Sequence, residues 1–308
     1  MPLRFTLRQL EYLVAVGESG SIARAAEKVN VSSPSISAAI AQLEEEFGLQ
    51  LFARRHAHGL TLSQAGRRFL EQAKTVIAEA EAMNRLAGEI RGQVRGPLDV
   101  GCLLTFAQIV LPHLRRSFCA RYPEVEFRQF ERDQQALFAG LRNAELDIAL
   151  TYDLDIPDDL EFVPLFHLPP YALLPDNHEL ANRRSVDATE LAPYPMVLLD
   201  LPHSAPYFLS FFANAGVTPN VVERTRDMEV MKSMVANGFG YSIANIRHAS
   251  ERAADGKKLR FVPLEGETRP TQMGLVMMPS TGNLLTVRAL IDHCRDTLTP
   301  SLTPGLKF

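Results

Sequence analysis

A chain of 308 residues, 46% of them hydrophobic, has length for about two domains of ~150 residues and enough apolar side chain for real cores, which excludes disordered, collagenous and purely coiled-coil architectures. Its 32 Lys+Arg against 36 Asp+Glu advertise neither nucleic acid nor an anionic membrane as a partner of the whole chain. The average hides an asymmetry, because residues 1–95 hold 12 basic against 10 acidic side chains and the remainder 20 against 26. Arg4, Arg8 and Glu11 interrupt any apolar leader, and no run approaches the ~20 apolar residues that span a bilayer, so a cytoplasmic protein with no membrane partner is expected. Cys102, Cys119 and Cys294, an odd set without paired metal spacing, read as reduced core cysteines, with a redox-sensing pair as the alternative.

The first elements are helical. Thr6 is placed to cap a helix carrying Leu10, Leu13, Val14 and Gly17, and Ser21 to cap a second with Ile22, Ala25, Ala26 and Val29 inward. A third is expected to open with Ser33 as cap and Pro34 at its first position, burying Ile36, Ile40, Leu43 and Phe47. Its outer face holds Ser35, Ser37, Ala38, Ala41 and Gln42, short or polar side chains that let the backbone approach something flat. Gly48 ends it, and Leu60 and Leu62 after Gly59 predict a small hairpin or wing. Arg54, Arg55, Arg67 and Arg68 fall in residues 53–68, which contain no acid. From Ser63 a long helix places Phe69, Ala73, Val76, Ala80, Met83, Ala87 and Ile90 at alternating steps of four and three, the seam of a coiled coil between two chains or of a helix docked on its neighbour. Residues 91–97, RGQVRGP, read as a hinge.

Beyond the hinge, short apolar strands alternate with helices: residues 98–104, 125–130, 146–152, 171–175, 196–200, 241–244, 259–264 and 273–278, with helices over 106–121, 134–143 and 284–298. This is α/β, with largely parallel sheets and helices on both faces. Roughly 210 residues of this kind fit two small lobes, with ligands beyond the carboxyl ends of strands.

Helix, short turn, helix with a small-residue outer face suits a major groove, and adjacent arginines suit phosphate, although a solvated basic face gives the same pattern. His56 and His58 lie in the wing without Cys or carboxylate neighbours, so solvation or phosphate contact is favoured over metal. Residues 240–244, GYSIA, lack the last glycine of a nucleophile elbow, and no phosphate-cradling glycine loop occurs. No catalytic residue, metal or cofactor is expected, and the protein is not read as an enzyme.

Residues 21–55, SIARAAEKVNVSSPSISAAIAQLEEEFGLQLFARR, followed by LTLSQAG, closely resemble the DNA-binding segment of LysR-type transcriptional regulators, and the resemblance continues over nearly the whole chain. It implies an N-terminal all-α winged helix-turn-helix at 5–62, a long dimerising linker helix at 63–91, and a C-terminal α/β two-lobed periplasmic-binding-protein-like effector domain at 97–308. Lobe 1 would hold about 97–166 and 267–308, and lobe 2 about 167–266. The implied function is a sequence-specific regulator of transcription that binds double-stranded DNA, answers to a small-molecule effector and forms a homodimer, with dimers pairing into a homotetramer. DNA contacts are implied for Ser21, Ser32, Ser33, Pro34, Ser35, Ser37, Arg54 and Arg55. Ser33 stands where relatives commonly have Gln and Ala38 where they have Arg or Lys, so no base-by-base code carries over.

The same resemblance places Thr105, Gln134, Tyr152, His203, Ser204 and Phe208 in an effector pocket, with 201–208 as a loop closing the opposite lobe. Tyr152 stands where relatives that bind dicarboxylates have Arg, and Asp153 and Asp155 follow it. A neutral, aromatic or amine-bearing effector is therefore expected over a dicarboxylate. The alternative reading is a cytosolic α/β solute-binding or enzymatic protein with an N-terminal helical oligomerisation module.

Overall fold

The computed structural model describes residues 4–55, 59–90, 92–248, 250–267, 269–298 and 306–307. The chain forms two compact units, Met1–Ala87 and Gly88–Phe308. No helix among the described residues is long and apolar enough to cross a membrane.

The first unit contains α1 (Leu7–Ser19), α2 (Ile22–Lys28), α3 (Ser33–Phe47), the antiparallel hairpin β1 (Phe52–Arg55) and β2 (Gly59–Leu62), and the start of α4 (Gln64–Ile90). Thr6 and Gln9 form a reciprocal capping box on α1, and Ser21 caps α2 through Arg24 N–H. Ser32, not Ser33, caps α3, so Ser33 takes the first helical position and Pro34 the second; either serine offers the acceptor a cap needs, and Pro34 needs no amide partner in the first turn. Leu10, Leu13, Val16, Ala25, Ile36, Ile40, Leu43, Leu51 and Leu70 make one core. Gly66 lets α4 start against it, since a Cβ there would lie 2.0 Å from Leu51 O.

The seam of α4 is divided. Phe69, Ala73 and Val76 pack into this unit's own core, with the Phe69 ring 4.6 Å from that of Phe47, whereas Met83 is 73% exposed. The side chains of Ala87 and Ile90 lie outside the described residues.

The second unit runs β3 (Gly96–Leu103), α5 (Leu104–Arg121), β4 (Val125–Arg132), α6 (Gln134–Arg142), β5 (Ile148–Tyr152), β6 (Glu161–Leu168), β7 (Tyr171–Pro175), α7 (Ala188–Leu191), β8 (Pro195–Leu199) and α8 (Ser204–Asn214). It continues through β9 (Asn220–Thr225), α9 (Met228–Ala236), β10 (Ser242–Ala244), β11 (Arg247–His248), β12 (Leu259–Pro263), β13 (Thr271–Met277), α10 (Leu285–Thr297) and β14 (Leu306–Lys307).

One sheet has the order β4-β3-β5-β13-β6 around a core of Leu98, Val100, Phe106, Leu114, Phe118, Ile148, Leu150, Leu275 and Leu290. It is mixed rather than largely parallel: β3 runs parallel to β4 and β5, but β13 is antiparallel to both β5 and β6. A returning strand that enters from a distant segment is not bound to the direction that a βαβ crossover imposes. The segment between β6 and β13 builds the second lobe, with order β10-β7-β12 joined to the parallel pair β8-β9 through a bridge between Met196 and Tyr241. Gly240 permits that join, because a Cβ would fall 2.1 Å from Pro195 O and φ is +149°. Residues 201–208, expected as a loop, instead begin α8 at Ser204; Pro202 precedes the helix and Pro206 sits in its first turn, where no intrahelical amide is missed.

Candidate nucleic-acid interface and ligand cleft

On α3 the structure buries Ile36, Ala39, Ile40 and Leu43 and leaves Pro34, Ser35, Ser37, Ala38, Ala41 and Gln42 exposed. That outer face has no long side chain between Pro34 and Ala41, so its backbone can approach a groove floor closely. Ser32 accepts from Ser35 N–H, and the two hydroxyls lie 2.8 Å apart, which fixes both at the entrance of the helix. Ser33 is half-buried beside them. Ser21 commits its hydroxyl to capping α2. Gln9 donates to Gln42 Oε1 at 2.9 Å, holding the distal end of the face.

Arg54 and Arg55 lie on β1, in register with Leu60 and Gly59. Their side chains, and all of His56 and His58, lie outside the described residues. Arg67 is exposed and donates to Leu62 O at 3.1 Å, so it braces the wing, and Arg68 is exposed beside it. A residue that sequence reading missed joins wing to reading helix: Glu44 Oε1 accepts from Leu51 N–H at 2.7 Å and Phe52 N–H at 3.1 Å. A charged acceptor on two backbone donors holds the start of β1 to α3. Partners seven and eight residues away leave no local signature.

In the second unit, Thr105 lies in the first turn of α5, Gln134 opens α6 behind its Asp133 cap, and Tyr152 ends β5. All three are buried. Gln134 Nε2 donates to Tyr152 O at 3.2 Å and Leu154 O at 2.7 Å, and the Phe106 ring meets Tyr152 edge-on at 5.2 Å. Burial pushes the Tyr152 hydroxyl well above the ordinary tyrosine value, the nearby Thr105 hydroxyl opposing the rise and Tyr207 adding to it. Thr105 Oγ1 nonetheless has no aligned hydrogen-bond partner among the described residues. Tyr152 is thus a neutral donor at physiological pH.

From the second lobe, His203 Nδ1 reaches Asp155 Oδ2 at 2.9 Å, and the Phe138 ring of α6 lies 6.0 Å from the imidazole. Ser204 follows, buried. Phe208 turns away into the second-lobe core, with Phe211 and Phe212. The structure thus brings Thr105, Gln134 and Tyr152 together, joins His203 to their lobe through Asp155, and does not bring Phe208 to them. Sequence reading missed Tyr207 and Asn245, which close the hinge side: Tyr207 donates to Arg269 O at 2.6 Å, and Asn245 donates to Leu168 O at 2.7 Å and to Tyr207 Oη at 3.2 Å. Asp153 pairs with Arg269 and accepts from Gln272 N–H. Among the described residues no cluster of three or more metal-ligating side chains occurs.

Two family models match the chain: "Bacterial regulatory helix-turn-helix protein, lysR family" over residues 7–67 and "LysR substrate binding domain" over residues 91–299. The DNA-binding transcriptional dual regulator OxyR of Escherichia coli is 30% identical over 278 residues, 89% of this chain and 90% of that protein. A hydrogen peroxide-inducible genes activator of Dickeya chrysanthemi is 30% identical over 252 residues, 81% of this chain and 82% of its own length. The crystal structure of HinK, a LysR family transcriptional regulator from Pseudomonas aeruginosa, is 35% identical with a TM-score of 0.64, covering 96% of this chain and 99% of that one.

Proposed function

The chain belongs to the LysR family of bacterial transcriptional regulators, and from that premise we propose how its parts divide the work. Members are regulators, not enzymes: they bind DNA through the helix-turn-helix, bind small effectors in the C-terminal domain and form oligomers. In our reading, residues 5–62 grip double-stranded DNA, with α3 in the major groove through Ser33, Pro34, Ser35 and Ser37 and the wing on phosphate through Arg54 and Arg55. The exposed short-side-chain face of α3 is the observation that carries this reading. Selection from random-sequence DNA tests it: the parent should enrich a motif that Ser35→Ala or Ser37→Ala alters, and an unaltered motif in both variants counts against it.

Residues 63–91 dimerise the chain through the part of α4 that carries the exposed Met83, dimers pair into tetramers, and the protein acts in the cytoplasm. Residues 97–308 hold the effector between lobe 1 (97–166 and 267–308) and lobe 2 (167–266), against Thr105, Gln134, Tyr152, His203 and Ser204. A neutral, aromatic or amine-bearing molecule fits better than a dicarboxylate, since apart from the His203 imidazole, which Asp155 holds, the polar groups gathered there are hydroxyls and an amide, and Asp153 and Asp155 stand at the strand end. Effector binding shifts the balance of two oligomer arrangements and so the spacing of the reading helices.

The name of the Dickeya relative invites a peroxide reading, which the two fully buried thiols do not support. A peroxide-sensing cysteine needs an accessible thiolate. Cys102 and Cys294 are fully buried, and burial pushes both thiols up, whereas Cys119 on α5 is half-buried.

A further inference from the structure

Gln134 is tied at one end and bare at the other. Carbonyl oxygens accept and never donate, so the two carbonyls at Tyr152 and Leu154, 3.2 and 2.7 Å from Nε2, fix the nitrogen toward themselves and leave Oε1 facing away. Oε1 is buried and has no hydrogen-bond partner among the described residues, on a residue 1% exposed. The side chain cannot turn its amide round without breaking both bonds. It therefore presents a fixed, unsatisfied acceptor, which a ligand donor would complete and a ligand acceptor would repel.

The backbone of the opposite wall does not compensate by offering amide donors to an anion. At the start of α8, Ser204 N–H is taken by Pro202 O at 2.8 Å, Ala205 N–H by Leu201 O at 3.1 Å, and Pro206 has no N–H. The helix terminus that faces across from α6 thus lacks the free amides by which helix N-termini bind carboxylates. The charges beside Gln134 point the same way. Asp133 precedes it as the α6 cap, and Asp153 lies between, and Asp155 just after, the two residues whose carbonyls it holds, with Arg269 and His203 as their respective partners.

We propose that the effector presents an N–H donor, as a protonated amine or a primary amide, to Gln134 Oε1, and that Gln134 sets this requirement. The proposal rests on the reading of the interlobe cleft as the effector site. It adds a chemical rule to that reading: a ligand whose polar end only accepts, such as a carboxylate or a tertiary amide, is discriminated against at this position.

Thermal denaturation of the full chain with a matched series of probes tests it: benzylamine, benzamide, N,N-dimethylbenzamide and benzoate share a ring and differ in what they donate. Benzylamine or benzamide should raise the melting temperature saturably, with apparent binding at least about ten-fold tighter than the other two, a difference of about 1.4 kcal/mol. The order of the first two distinguishes a cationic from a neutral donor. In Gln134→Leu the preference should collapse, and because that variant also removes the donors to Tyr152 O and Leu154 O, the probe series on the parent chain stands as the primary measurement. Benzoate or the dimethylamide binding as tightly as benzamide, with stabilisation lost in Thr105→Val, would overturn the donor rule while leaving the cleft reading intact. Donor-probe stabilisation that survives both Gln134→Leu and Thr105→Val would place the ligand elsewhere and overturn both. Stabilisation by none of the probes up to about 10 mM, where fragments of this size ordinarily register, would overturn the donor rule.

Discussion

His203 and Asp155 meet at 2.9 Å across the second unit with both backbones in the left-handed region, φ +65° and +46°. Ser204 N–H donates to Pro202 O, so His203 sits at the centre of a γ-turn, a conformation that side chains with a Cβ adopt only under strain. Such strain costs about 1–3 kcal/mol, whereas a hydrogen bond to a carboxylate that is 74% exposed returns at most about 1 kcal/mol. The pair is therefore not there for stability. His203→Gly, which relieves the strain and deletes the pair, is expected to leave unfolding free energy unchanged or raise it by up to about 1 kcal/mol, while weakening the response to effector. Chemical denaturation checks it, and a loss above ~1 kcal/mol would mean the pair outweighs the strain.

Glu44 ties the wing to the reading helix, and its removal leaves two partly buried amides without an acceptor. Glu44→Ala should cost about 1–3 kcal/mol of stability in the first unit. Below its melting temperature it should also weaken binding to specific and random DNA alike, because the wing is released while the base-reading face of α3 stays intact. Glu44→Gln keeps one acceptor oxygen and should lose less on both counts. An effect confined to one DNA sequence would place Glu44 in base recognition instead.

The two halves of the α4 seam should behave differently. Met83 is exposed, so Met83→Glu is expected to dissociate dimers, seen by sedimentation, without lowering the melting temperature of the dissociated chain. Val76 packs against the core of its own unit, so Val76→Glu should destabilise the fold as well. A stably dimeric Met83→Glu protein would move the oligomer interface elsewhere.

That division was not legible in the sequence, since a period of 3.5 is the same whether the partner is another chain or the helix's own domain. The helices of the first unit were legible because each buries one face at helical spacing and carries a polar cap; the cap of α3 slipped by one residue because Ser32 and Ser33 are equally good acceptors. β6 and β9 went unread. Neither alternates cleanly between buried and exposed residues, and β9 lies largely exposed. The candidate ligand residues Thr105, Gln134 and Tyr152 came from family likeness, but the direction of the Gln134 amide depends on two carbonyls 18 and 20 residues away. Pairing partners set by tertiary contact leave no periodic trace.

His293 of α10 should make stability sensitive to mild acid. It is buried, with Nε2 2.8 Å from Ser117 Oγ and Nδ1 without a partner among the described residues. Burial lowers its pKa below 6.5, helped by Arg121 and His113 and opposed by Asp296. With the folded value depressed, the unfolded chain takes up the proton first, so this contribution is present above about pH 6.5, falls as pH drops through that value, and levels off below the folded pKa. Melting temperatures between about pH 7 and pH 5 should decline less steeply in His293→Gln than in the parent. Equal slopes would remove His293 from the acid response.

DNA binding by the N-terminal unit is the central claim, and the salt dependence of binding by Arg54→Ala, Arg55→Ala double-variant protein tests it most directly. Plotted as log K against log salt, the parent slope should be steep, and the variant slope should be shallower by about one unit for each phosphate no longer neutralised, with affinity reduced for every sequence. A variant with the parent's slope and affinity would show that the wing is a solvated basic face and would contradict the account.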